Sequence, residues 1–388
     1  MTENTPAPGG WFYAILRRVG LADKAGLRLG RCVPVLAGLC WLPLLGLTAL
    51  QGTALGSAVD IPFLKDFGAY GRFLIAFPLL LVGEKLVTSL RESIATDLRG
   101  TNIVRESQQG QADAAHALAI KRRDSGTVEL VLLAFAFALP WIGLAIGRAT
   151  HSDLGLTRWV LGAGASGTDP TAAGWWYLCL ALPLASFVAL RWVWRYVVWF
   201  LLLHSIASLD LELQPTHPDH MGGLGPLVIS QSAFAIFFVA GSVLLSSLMA
   251  NDILYSGVTI TSLYPEIASY VGVSLLLLLA PLLVFVSRLR RAKISGILEY
   301  GAQGDSLSKS FSDRWRGKDP AKLIDTADPS AVTDFSGMYD TVASMRTFPF
   351  SLRQTAAVAV LLLIPFTPLL LTAASLEQLL ERLLWMLT

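Results

Sequence analysis

The chain has 388 residues, of which 54% are hydrophobic and only 15% charged, and its mean hydropathy is +0.57. A soluble domain carries about a quarter charged residues, so this balance excludes an ordinary soluble fold and points to a membrane protein. The net charge of +2 gives no ground for nucleic-acid binding, and Cys32, Cys40 and Cys179 lack metal or redox spacing and read as small buried apolar residues.

A basic segment, residues 1–32, precedes the first apolar run, Val33 to Leu50. That run is longer than the h-region of a signal peptide and is expected to remain as a span. Roughly twenty apolar residues cross ~30 Å of hydrocarbon as a helix. Seven segments qualify, near 33–51, 68–88, 128–147, 175–200, 226–249, 268–287 and 356–375. Their apolar character runs around the whole helix, and none alternates with period two as a barrel strand would. The fold class expected is all-α: a polytopic transmembrane helical bundle of about seven spans with cytoplasmic helical extensions. It divides into an N-terminal segment 1–32, a bundle 33–287 with a helical insertion at 89–127, a cytoplasmic helical segment 288–355, and 356–388 with the last span and an amphipathic helix.

Basic residues set the orientation. Segments 1–32, 89–127 and 288–355 hold twenty-two lysines and arginines, while the connections on the other side and the C-terminal tail hold four, namely Lys65, Arg148, Arg158 and Arg382. The positive-inside bias puts the N-terminus in the cytoplasm and, after seven spans, the C-terminus outside. Six of the seven spans carry proline: Pro43, Pro78, Pro140, Pro183, Pro281, and the pair Pro365 and Pro368. Proline removes an intrahelical hydrogen bond, so these spans are expected to bend, either as ordinary kinks or around a cavity. The fifth span presents Ala235, Val239, Ser242 and Ser246 at helical spacing, which suits close helix packing.

Apolar repeats continue beyond two spans. Leu86, Leu90, Ile94 and Leu98 predict an amphipathic helix, and 111–123 a second helical piece. The sixth span runs on through Arg288 into Ile294, Ile297, Leu298, Leu307, Phe311 and Trp315. A polar stretch, 316–336, reads as loop, and 337–346 as a short helix. These pieces are expected to pack as one cytoplasmic layer. The one-sided C-terminal segment 376–387 would lie on the outer membrane surface or pair with a second copy, and the partners expected are membrane lipids and further copies of the chain.

Functional interest centres on 196–287, which contains no lysine or arginine but holds His204, His217 and His220 beside Asp210, Glu212 and Asp219. Within it, Pro215-Thr-His-Pro-Asp-His-Met-Gly-Gly-Leu-Gly-Pro226 combines φ-fixing prolines with permissive glycines, a pattern that positions polar side chains on a defined backbone. His217, Asp219 and His220, carried with Gly222 and Gly223, are the candidate ligand or ion site; with His204 they would form a divalent-metal set. The alternative is a glycine-rich turn in which Asp219 caps the next helix. Trp175 to Leu209 is nearly unbroken and too long for one crossing, so that helix tilts, bends at Pro183, or leaves the membrane. Arg191 and Arg195 share one face of it, ringed by aromatics, either as interfacial groups, as an anion or headgroup contact, or paired with an acid such as Glu84. Glu84 and Lys85, at a span end, read as interfacial.

His217-Pro-Asp-x-x-Gly-Gly-Leu-Gly, Leu298-Glu-Tyr-Gly and Met345-Arg-x-x-Pro-Phe together resemble a functionally unassigned family of bacterial multi-pass inner-membrane proteins. The resemblance covers roughly residues 175–355. It implies a bacterial inner-membrane location and transfers no catalytic role. The function expected is a channel or transporter for an ion or small solute, with the His/Asp loop as binding or gating site, since a base-free pair of spans favours cations. Rival readings are a metal-dependent enzyme acting on a lipid-like substrate and a sensor acting through its cytoplasmic helices.

Overall fold

A computed structural model of the chain describes residues 9–23, 26–57, 59–87, 103–150, 159–161, 169–316 and 328–373. Predicted helix over 90–98, the middle of the 316–336 stretch and the C-terminal amphipathic segment lie outside the described residues. The fold is all-α, with one two-stranded hairpin among the described residues, at Ala22–Asp23 and Gly26–Leu27. Among the described residues seven helices are long and apolar enough to cross a membrane: Leu29–Leu50, Phe67–Val87, Gly126–Ile146, Ala172–Ser208, Gly225–Ser256, Ile260–Arg314 and Leu352–Leu371. This is a membrane protein of the expected class.

Hydrogen bonds between distant segments fix which helix ends lie together. At one end Glu212 N donates to Ile103 O (2.8 Å), Arg288 Nε to Ala207 O (3.2 Å) and Arg346 N to His220 O (2.8 Å). We call this the basic end. At the opposite end Asp66 accepts from Trp159 Nε1 (3.0 Å) and Asn251 Nδ2 (2.8 Å), while Asn251 Oδ1 accepts from Phe67 N (3.0 Å). Successive long helices therefore alternate in direction, as a serpentine bundle requires.

The 37-residue fourth helix, Ala172–Ser208, would be about 55 Å long at 1.5 Å per residue, well beyond the ~30 Å of hydrocarbon. It packs along helix Gln109–Arg123, with Trp194 Nε1 donating to Arg122 O (3.0 Å). The sixth helix likewise runs on as Val286–Trp315, and helix Asp328–Ala343 packs against it. Helix thus begins earlier than predicted, because Pro329 falls in the first turn, where a missing N–H costs nothing.

Prolines change the winding of the spans. A π turn, Gly71–Ala76, precedes Pro78; another, Tyr177–Ala181, precedes Pro183; and 3-10 turns hold Pro281 and Pro365. At Pro281 neighbours occupy the carbonyls one turn back: Tyr196 Oη donates to Leu277 O, and Gln231 Nε2 to Leu278 O (2.6 Å). The small face of the fifth span is buried at Ser242 and Ser246 as expected, and Ser246 Oγ donates to Pro365 O (2.7 Å). Cys32 and Cys40 are buried, but Cys179 faces outward from its span, correcting its reading as a buried residue.

Candidate functional site at the basic end

The segment after the fourth helix first pairs with residues 103–105. Leu211 forms an antiparallel bridge with Val104, and Arg105 binds both Asp210 (2.9 Å) and Glu212 (2.8 Å). The chain then winds through three tight turns, His217 N to Gln214 O, His220 N to His217 O and Leu224 N to Met221 O. Their hub is Asp219. Its Oδ1 accepts from Met221 N (2.7 Å) and Gly223 N (3.2 Å), and its Oδ2 from Gly225 N (2.9 Å), the first residue of helix Gly225–Ala233. Nδ1 of His217 lies 2.8 Å from Asp219 Oδ1 and 3.3 Å from Asp219 N, so the ring's tautomer sets whether it donates to the carboxylate or accepts from the backbone. Burial pushes the Asp219 carboxyl upward, but the three backbone donors and His217 outweigh it and hold it below the usual aspartate range. Gly223 sits at φ 95°, a conformation that L side chains rarely adopt, and a Cβ there would press on Ile103 at 3.0 Å.

This geometry realises the helix-capping alternative for Asp219. Its lone pairs are taken by the loop's own N–H groups, so the carboxylate organises the backbone rather than presenting itself to an ion. The metal set is not assembled. His217 and Asp219 meet, whereas His220 Nδ1 is 3.0 Å from Ser344 Oγ and the His204 ring stacks on Phe200 one turn away. Among the described residues no three His, Cys, Asp or Glu side chains are placed to hold a metal. Gly222 and Gly223 serve the turn; Gly222 at φ 64° leaves room for Met345, which is 1% exposed.

The structure does bring the three sequence motifs together. Ser344, Met345 and Arg346 contact the loop through His220 and Gly222, while Gly296 of the sixth helix lies against Pro215 and Val342. Tyr300, of Leu298-Glu-Tyr-Gly, packs on Phe335 and helps line a cavity of about 600 Å³ between the loop and the sixth helix. The remaining walls include Arg105, Gln214, Thr216, Arg288, Arg291 and Ser295.

A second constellation lies deeper. Arg191 and Arg195 are 7% and 6% exposed, and Glu84 and Glu129 2% and 3%. The arginines are therefore not interfacial, and Trp192 and Trp199, both buried, belong to the core rather than to an aromatic belt. Glu84 accepts from Arg195 Nη2, from Arg191 Nη2 (3.3 Å) and from Tyr13 Oη (2.7 Å). Of the alternatives weighed for the two arginines, pairing with Glu84 is what the structure contains. Lys85 is exposed, whereas Glu84 is buried, which corrects its reading as an interfacial group.

Helix Trp11–Arg18 closes this cluster. Phe12 N donates to Glu129 Oε2 (3.3 Å), the Arg191 guanidinium lies over the Phe12 ring at 4.5 Å, and Trp11 stacks on Phe187. Gly10, at φ 95°, is a close approach: a Cβ there would fall 2.4 Å from Glu129 Oε1. Burial and the neighbouring Glu84 carboxylate raise the Tyr13 hydroxyl far above its ordinary pKa, so it acts as a permanent donor. Among the described residues, Glu129 Oε1 and Arg191 Nη1 are buried with no hydrogen-bond partner of normal geometry; Oε1 lies 3.6 Å from the Arg191 guanidinium. Tyr13 and Glu129 were not among the expected site residues. The available signal was Trp11-Phe12-Tyr13 with Leu16 ahead of Arg17 and Arg18, an amphipathic turn inside a segment read only for its charge.

No protein-family model, no curated protein and no solved structure matches the chain. The family likeness carried by the loop motifs stays an expectation, and a functional reading rests on the residues themselves.

Proposed function

We propose that the protein moves an ion or small solute across a bacterial inner membrane, with the basic end in the cytoplasm and the Glu84–Arg191–Arg195–Glu129 cluster as its charge-bearing centre. The observation that supports this is the burial of four ionisable side chains from three spans, with one carboxylate oxygen and one guanidinium nitrogen that make no hydrogen bond of normal geometry among the described residues. Ionisable groups inside a span cost several kcal/mol and are kept chiefly where charge must be bound or moved. A purely structural staple would be expected to saturate its donors and acceptors, as Asp66 does at the opposite end. Two arginines against two glutamates leave the cluster neutral, and protonation of Glu129 alone would make it cationic. Glu129 is thus the group through which a proton or a cation would change the field in the bundle. The His/Asp loop takes a supporting place in this reading: it fixes the segment joining the fourth and fifth helices.

Flux through purified protein in liposomes, assayed with H⁺, Na⁺, K⁺, Mg²⁺ and Cl⁻, tests the proposal. Glu129→Gln is expected to lower flux at least tenfold while the protein stays monodisperse and equally heat-stable. No flux of any of these ions would overturn transport of them, and wild-type flux in Glu129→Gln would remove the cluster from the mechanism.

A further inference from the structure

The face of the sixth helix that leaves the bundle carries a site independent of the transport reading. Below the cavity at the loop lies a second one, of about 580 Å³, lined on its apolar side by Leu283, Val286 and Ile294 and on its polar side by Arg290 and Arg291. The two cavities share Arg291. Pro281 and its 3-10 turn, Ala280–Phe285, offset the helix at this level. The arginines of the upper cavity differ in what they already hold. Arg105 is bound to Asp210 and Glu212, and Arg288 donates to the last carbonyls of the fourth helix, Ala207 and Ser208. Arg290 and Arg291 are exposed and make no such bond among the described residues, and Ser295 and Tyr300 line the upper cavity with Arg291.

An apolar wall at the end of a membrane span, two uncommitted guanidinium groups above it and hydroxyl donors beyond match an amphiphile whose charge is an anionic phosphate. Guanidinium forks suit phosphate oxygens, and basic residues just outside the hydrocarbon attract anionic lipid headgroups. We infer that Arg290 and Arg291 bind the phosphate of an anionic phospholipid, its acyl chain along Leu283 and Val286 and its headgroup reaching Ser295 and Tyr300 in the upper cavity. The ligand would tie the sixth helix to residues 211–216, the segment leading into the loop, since both line the upper cavity.

Native mass spectrometry of the detergent-purified full chain, with phosphatidylglycerol or phosphatidylcholine added at equal concentration, tests this. Wild-type protein is expected to retain phosphatidylglycerol preferentially, and Arg291→Gln to retain it roughly fivefold less, as about 1 kcal/mol per basic residue at a membrane surface implies. Arg290→Gln, with less of the headgroup cavity at hand, should weaken retention in the same direction. Lys309→Gln removes the same charge from the same helix away from the cavities and should retain lipid as the wild type does. Each variant is compared at matched helicity and elution volume, so that loss of fold is seen separately. Equal retention of both lipids by the wild type, or equal losses in Lys309→Gln and Arg291→Gln, would overturn the site. Arg291-dependent binding of inorganic phosphate without retention of phosphatidylglycerol would overturn the lipid in favour of a soluble phosphate compound.

Discussion

Asp219 shows how one carboxylate can order a loop that has little apolar surface of its own. Its folded-state pKa is depressed, so its contribution to stability is fully present above the ordinary aspartate value of about 3.9 and is lost as pH falls through the lower folded value. Hydrogen exchange of a peptide covering 217–226 should therefore stay slow from neutral pH down to about pH 4, after correction for intrinsic rates, and quicken only below it; a loss of protection near pH 6 would assign the loop's order to the histidines instead. Asp219→Ala removes the acceptor from three N–H groups at once and should cost roughly 1–3 kcal/mol locally, read as faster exchange of the same peptide and easier proteolysis there. The ordered character of this loop was legible in its prolines and glycines. Which atoms Asp219 serves was not, because a carboxylate flanked by histidines looks the same in one dimension whether it faces a metal or its own backbone. Pairing of the arginines with Glu84 was among the alternatives the chain offered, but the part of Glu129 was hidden: it lies near a span end, where exposure to headgroups is the cheaper placement, and only packing of the Trp11–Arg18 helix over the cluster closes off water.

At the scale of elements, proline positions were read directly from the chain, but their consequence depended on which neighbour stood opposite. At Pro281 the answer is specific: Tyr196 and Gln231 donate to Leu277 and Leu278 carbonyls that the helix leaves without a full complement of donors. Tyr196→Phe should lower stability in nanodiscs by about 0.6–1.7 kcal/mol, the range found for polar contacts between helices in lipid. Pro281→Ala supplies an N–H within the helix, so the same Tyr196→Phe change should cost less in that background, a coupling that a double-mutant cycle on unfolding free energy measures. Additive effects would mean that the Tyr196 hydroxyl is not compensating for the proline. Helix lengths show the same division. The continuous run Trp175 to Leu209 was plain, yet only the folded chain shows that helix Gln109–Arg123 packs along it.

The whole molecule is pinned at both ends by polar contacts, with further polar groups buried among its spans. Trp159, Asp66 and Asn251 tie one end, while the loop, the Arg105 pairs and the Arg346–His220 bond tie the other. Bilayer physics favours this arrangement, because backbone groups outside helices must be satisfied by protein or lie beyond the hydrocarbon. It also makes sidedness testable with reporters that sequence counting alone could not choose, since the loop at 201–225 has no basic residue. In a background with Cys32, Cys40 and Cys179 replaced by serine, Gln214→Cys and Met338→Cys should react with an impermeant maleimide from the same side of sealed vesicles. Ser256→Cys should react only from the other. Gln214 and Met338 belong to segments joined through His220 and Arg346, whereas Ser256 ends the fifth helix beside the Asn251 contact. If Gln214→Cys instead labelled with Ser256→Cys, the serpentine path through lipid would be wrong. The basic end would then not be a single membrane face, and Glu84 and Glu129 would lose the shared depth that brings them to the two arginines.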